Sequence, residues 1–279
     1  MAHRPLAEII GEIIDSDRVH QPVSPQIARQ FKELCDRGVP NLADLAQLIS
    51  HDPALACSLF HDANSSFYKG LQKAVTVSDA ITRIGCEDTI RTIERACRFG
   101  QFSSQGHLIP RYLPPLWQHS LGCALGARWL AERCGYQALA EQTHLAGLLH
   151  DTGKLFLLVT LEEVAATENL GSVLADQLVD EVLATMHVEQ GLKLAEKWHL
   201  PNEFAAVIGQ HHEADLDNQD VIVALVRLAN KGCHKLGLGW ENDPGLILPT
   251  TAEAQFLGID EIALAEFEIM LEDRFGLAP

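Results

Sequence analysis

Helix start and stop signals recur along this chain from end to end. No stretch shows the sustained two-residue alternation with β-branched side chains that a strand would need. Ser24-Pro25 reads as an N-cap with proline at the first helical position, opening a helix through about Cys35. Asn41 caps a helix over Leu42 to Ile49, and Asp52-Pro53 opens another through Ala63, stopped by Asn64-Ser65-Ser66. A helix over Ser78 to Ile84 ends at Gly85, and one over Glu87 to Phe99 ends at Gly100. Leu and Ala dominate a composition that is 47% hydrophobic but only 6% aromatic, which favours helices over sheets. The chain is therefore expected to be all-α. Its 279 residues suffice for one large domain or two ordinary ones.

A boundary is expected near residues 101–115, where the small polar run Gln101 to Gly106 is followed by Pro110, Pro114 and Pro115. This divides the chain into a helical lobe over residues 1–110, a second over 111–240, and a C-terminal helical extension over 241–279 packing on the core. In the second lobe Pro115 starts a helix that carries Trp117 and His119 to about Cys134. Further helices are expected over Ala138 to His150, Asp180 to Trp198, Asn202 to His212 and Asp220 to Lys235. The last helix, Asp260 to Phe275, offers Ile262, Leu264, Phe267, Met270 and Leu271 as a packed face.

The formal net charge is −17 and no basic block occurs, which argues against direct nucleic-acid binding and against attraction to an anionic membrane. No run of eighteen apolar residues is present, so no membrane span is expected. The early carboxylates Glu8 and Glu12 argue against a signal peptide. The seven cysteines are odd in number and form no C-x-x-C pair. They read as reduced, small core residues of a cytoplasmic protein.

The chemistry concentrates in His150-Asp151-Thr152-Gly153-Lys154, which closes the apolar stretch Thr143 to Leu149. Adjacent His and Asp offer an imidazole nitrogen and a carboxylate to one point, and a carboxylate can bridge two cations while the imidazole holds one. His119, His187 and the pair His211-His212 are placed on helices where they can complete such a site. Each has a plainer alternative. His119 suits a satisfied half-buried histidine, His187 a helix histidine beside the packing glycine Gly191, and His211-His212 a helix end whose dipole favours imidazolium. Lys154 reads either as a helix-end cation on a solvated face or as a phosphate contact beside metals. The other His-Asp dipeptide, His51-Asp52, precedes Pro53 and has a capping role. His3, His20, His61, His107, His144, His199 and His234 are assigned to structure or surface.

Taken together, the order His119, His150-Asp151, His187, His211-His212 resembles the HD superfamily of metal-dependent phosphohydrolases from about Leu116 to Leu236. More narrowly the chain resembles the HDOD family, the HD-related output domains of bacterial signalling. That likeness rests on Leu48 to Leu55, Ala63-Asn64-Ser65, Ala80 to Gly85, Trp117 to Ser120 and Ala146 to Lys154. The resemblance implies two helical lobes, the C-terminal one an HD-type helical bundle. It implies a dinuclear divalent-metal site held by His119, His150, Asp151, His187, His211, His212 and Asn230, with Asp151 as the bridge and Lys154 as the lysine tied to catalysis. Asn230 stands where the family's late Asp belongs, and a neutral amide binds metal more weakly than a carboxylate. The likeness to the HD-GYP phosphodiesterases in His187-x-x-x-Gly191 and His211-His212-Glu213 stops short of their acidic residue one turn before the first histidine, where Pro115 stands, and of their Gly-Tyr-Pro signature. Iron or manganese is the expected metal, with zinc and nickel as further candidates. The implied function is signalling output through a protein partner. The alternative is a phosphohydrolase or phosphodiesterase in which the dinuclear site activates water against a phosphoester or nucleotide.

Overall fold

The Asp52 carboxylate illustrates how local sequence sets a helix boundary. In the computed structural model, Asp52 Oδ1 accepts a hydrogen bond from Leu55 N at 3.0 Å and Oδ2 accepts one from Ser24 N at 2.7 Å. One residue thus caps its own helix and pins the entry of another. The structure describes residues 6–15, 21–68, 71–102, 107–167, 175–213 and 220–277. Among these there are helices and no strand, so the fold is all-α as expected. Also among these, no helix is long and apolar enough to cross a membrane. His3, His20 and Ser103 to Gly106 lie outside the described residues.

The helices are α1 (Leu6–Asp15), α2 (Pro25–Asp36), α3 (Leu42–Ile49), α4 (Pro53–Ala63), α5 (Val77–Ile84), α6 (Cys86–Phe102) and α7 (Leu108–Arg133). They continue with α8 (Ala140–Leu149), α9 (Thr152–Thr167), α10 (Asp176–Lys197), α11 (Asn202–Gln210), α12 (Val221–Lys235), α13 (Ala252–Leu257) and α14 (Glu261–Phe275). By internal packing the chain forms two units. One comprises Met1–Pro114 and Asp151–Leu200, the other Pro115–His150 and Pro201–Pro279.

In the first unit α4 packs against α3, α5 and α6, burying Leu55, Leu59 and Phe60 completely, and α9 lies along α10. Glu162 Oε2 accepts the amides of Leu108 and Ile109 at 2.8 and 3.2 Å, so a carboxylate satisfies the free N–H groups that open α7. In the second unit α8, α11 and α12 pack on one another and α13 packs on α12. There the buried Glu253 accepts from Arg227 Nε at 2.7 Å and from Lys231 Nζ at 2.5 Å. Burial pushes the Glu253 carboxyl up, but the Lys231 hydrogen bond and the neighbouring cationic charges outweigh it and hold the group below the ordinary glutamate range.

Three expectations need correction. Helix α6 runs through Gly100 to Phe102, because a glycine costs a helix only about 1 kcal/mol and breaks no hydrogen bond. Helix α7 starts at Leu108 and not at Pro115. Pro110 falls in its first turn, where a missing N–H costs nothing. Pro114 and Pro115 are carried inside it, flanked by the buried Tyr112, Leu113 and Leu116. In α14 the packed face is Ala263, Leu264, Phe267 and Leu271, whereas Ile262 is 71% exposed, because it lies on the far side of the helix from the 264/267/271 stripe.

Candidate metal centre

The second unit assembles one donor group. His119 and Cys123 stand one turn apart on α7, and both are buried. His150 sits at the C-cap of α8, and α8 meets α7 backbone to backbone. A Cβ on Gly147 would fall 2.8 Å from the Cys123 carbonyl oxygen and 3.1 Å from Ala124 Cα. That contact, one turn before His150, brings the two histidines together, with His119 Nε2 3.3 Å from His150 Nε2. Cys123 Sγ lies 3.6 Å from His119 Nε2 and 3.9 Å from Asn230 Oδ1, the buried amide of α12. The His211 ring is 5.0 Å from that of His150, edge to face, and the exposed His212 ring is 4.1 Å from that of His211. His211 and His212 both lie just past the end of α11, the one place where neighbouring histidines can turn toward a common point.

The first unit assembles another. Asp151 immediately precedes α9, and its Oδ1 lies 3.6 Å from Nε2 of His187, a buried residue of α10. Lys154 Nζ donates to Asp151 Oδ2 at 2.9 Å. Lys154 is only 9% exposed, so its reading as a cation on a solvated face is overturned. The first turn of α9 folds its ammonium back onto the Asp151 carboxylate. The close approach of α9 to α10 depends on Gly153. A Cβ there would strike the His187 carbonyl oxygen and come within 2.8 Å of Gly191 N. Gly153 thus approaches Gly191 at its backbone nitrogen.

The imidazoles share one pattern. Nδ1 of His150, His187 and His211 faces the carbonyl three residues earlier, at 2.7, 3.1 and 2.9 Å, and Nδ1 of His119 faces the Leu238 carbonyl at 3.0 Å. A carbonyl oxygen only accepts, so each ring, when neutral, carries its proton on Nδ1 and presents a lone pair at Nε2. For His119 and His150 two such lone pairs face each other across 3.3 Å inside a buried group. A bound cation removes that repulsion, and a ring N–H given to a backbone carbonyl is the usual support of a metal-ligating histidine. The donor set fits a divalent metal.

Reasoning from the sequence missed one residue here. Cys123, read as a core cysteine, belongs to a buried donor group with His119 and His150 whose ligating atoms lie within 4.8 Å of one another. Its spacing of four from His119 was the available signal. His234, assigned to structure or surface, has a structural role, stacking on His119 with ring centroids 5.2 Å apart.

The family model for the HDOD domain matches residues 22–214 of the chain. Over 201 residues the chain is 27% identical to an uncharacterized protein of Treponema pallidum (strain Nichols). The match takes in 67% of this chain and 37% of that protein, so the chain spans little more than a third of this curated relative. Among solved structures, the MmoQ response regulator of Methylococcus capsulatus str. Bath aligns with a TM-score of 0.71 at 21% identity, over 89% of this chain and 98% of that one. A virulence factor of Campylobacter jejuni subsp. jejuni aligns with a TM-score of 0.65 at 16% identity, over 95% of each chain. At such identities the likeness establishes a common fold.

Proposed function

The chain belongs to the HDOD family, and from that premise we propose that it is a bacterial signalling output protein that binds a protein partner and retains a divalent-metal site. The family match over residues 22–214 carries the signalling part of this reading. The metal part rests on the facing Nε2 atoms of His119 and His150, whose Nδ1 atoms are committed to carbonyls. The proposed ligands are His119, His150, Asp151, His187, His211, His212 and Asn230, serving two first-row metal ions with Asp151 as the anionic bridge. Lys154, hydrogen-bonded to Asp151 Oδ2, holds that carboxylate in place. None of the seven cysteines is in a disulfide, which suits a reducing compartment, and we assign the protein to the cytoplasm.

A second reading, hydrolysis of a phosphoester or nucleotide, is favoured by the number of donors the chain has kept. A bound metal polarises phosphoryl oxygens and makes water more acidic. In this reading Lys154 would offset charge on the phosphate. Asn230 and Pro115 both stand where carboxylates would strengthen the site, so slow or absent turnover of cyclic di-GMP and at most weak hydrolysis of generic phosphoesters are expected. The test is metal analysis of untagged protein, followed by assays of cyclic di-GMP and bis(p-nitrophenyl) phosphate after iron or manganese loading under reducing conditions. Rapid cyclic-di-GMP turnover would overturn the signalling reading. Protein that neither copurifies with metal nor takes it up would overturn the metal site.

A further inference from the structure

We propose that Cys123 is a metal ligand, completing with His119 and His150 a two-histidine, one-thiolate site beside Asn230. The inference rests on the metal reading above and names a donor that the HD-type pattern of histidines and carboxylates does not include.

The geometry supports it in numbers. For a tetrahedral ion with metal–nitrogen bonds of about 2.05 Å and metal–sulfur bonds of about 2.3 Å, the nitrogen–nitrogen edge is about 3.3 Å and the nitrogen–sulfur edge about 3.6 Å. His119 Nε2 lies 3.3 Å from His150 Nε2 and 3.6 Å from Cys123 Sγ. Two independent edges of the coordination figure are thus already at their ligated lengths. The sulfur–oxygen edge to a ligating amide would be about 3.6 Å. Asn230 Oδ1 stands 3.9 Å from Cys123 Sγ, a few tenths of an ångström outside that edge. The three ligating side chains are 4%, 0% and 1% exposed for His119, Cys123 and His150, so the group is shielded from water.

The chemistry gives a reason for the cysteine. Asn230 leaves this end of the site with no carboxylate beyond its share of the proposed Asp151 bridge, and two neutral imidazoles and an amide add no charge to a dication. A coordinated thiol is deprotonated and supplies one negative charge. Cys123 reaches the position because residues four apart share one face of a helix, so the turn of α7 that presents His119 also presents the sulfur. A thiolate changes the choice of metal. It favours zinc or ferrous iron and disfavours manganese, which prefers oxygen donors.

Cobalt(II) titration of the untagged, chelator-stripped full chain tests the proposal. A thiolate-to-cobalt charge-transfer band should grow in the near ultraviolet together with the visible ligand-field bands. The zinc-loaded protein should show one sulfur scatterer at about 2.3 Å by X-ray absorption. Cys123→Ser should lose the band and the sulfur, with its far-ultraviolet circular dichroism unchanged, while Cys233→Ser, altered at another buried cysteine, should keep both. A band that persists in folded Cys123→Ser overturns the proposal. If Cys123→Ser fails to fold, the wild-type sulfur count decides. One sulfur supports Cys123, the cysteine that shares a donor group among the described residues, and a shell of nitrogen and oxygen alone overturns it. Cobalt bound without sulfur removes this inference and leaves the metal reading standing, whereas no cobalt binding removes both.

Discussion

Replacing Gly153 with alanine tests how α9 and α10 meet, and with it what holds His187 near Asp151. The added Cβ would land on the His187 carbonyl oxygen, 2.8 Å from Gly191 N and 2.8 Å from the His187 carbonyl carbon. These are backbone atoms within α10, so no rotamer change relieves the contact. Comfortable carbon contacts begin at about 3.5 Å, so relieving the 2.8 Å contacts alone would part the two helices by roughly 0.7 Å, and the closer carbonyl oxygen demands more. Overpacking of this kind costs about 1–3 kcal/mol, and a rigid backbone places it at or above the upper end, about 3 kcal/mol or slightly more. The better helix propensity of alanine returns up to about 1 kcal/mol, leaving a net loss of about 2–3 kcal/mol. With an unfolding entropy of about 2.1 cal/mol/K per residue over 279 residues, Tm should fall by about 3–5 °C. Thermal melts by circular dichroism in the presence of chelator measure this without interference from metal binding. Gly11→Ala in α1 is the control. Nothing lies within 4 Å of its added methyl, so its Tm should hold or rise. A Gly153→Ala protein melting at or above the wild-type temperature would refute the close-approach argument.

Asp151→Ala should reduce metal content more than Asn230→Ala, because in the proposed site only Asp151 would supply a charged bridge; equal losses by elemental analysis would count against bridging. Glu253→Ala should destabilise by about 3 kcal/mol, since it strips the carboxylate from the buried Arg227. A urea midpoint unchanged from wild type would show that the ion group contributes nothing. Burial pushes the Asp52 carboxyl up to about 6, against the lowering effect of the Ser24, Leu55 and Ala54 amides. The folded state therefore holds this proton more tightly than the unfolded chain, whose value is 3.8, and the group's contribution falls as pH rises from about 4 to about 6. Asp52→Asn cannot ionise, so wild type should lose about 3 kcal/mol relative to it across that window. A difference between the two urea midpoints that stays constant from pH 4 to 7 would contradict this.

Helix character was legible in the sequence wherever the deciding interaction is local. Asn41, Asp52 and Asp260 accept amide hydrogen bonds from residues three positions ahead, so their own side chains close the first turn. Gly85 takes the positive φ that ends α5. The order of histidines and the His150-Asp151 pair likewise follow from covalent spacing, and with them the family. Where packing over distance decides, the sequence was silent or misleading. Pro114 and Pro115 look like a helix start, yet burial around them keeps α7 continuous. Lys154 reads equally as a surface cation or as an anion contact, and the burial of the first turn of α9, with the Lys154 ammonium on Asp151, decides against the surface. Cys123 looks like core, and it is buried. Only the crossing of α8 over α7 at Gly147 brings His150 to His119 and makes the sulfur a neighbour of two imidazole lone pairs. Capping is settled within a few residues of chain. The approach of two helices is settled by the absence of a side chain on one and by the atoms of the other, which lie dozens of positions away.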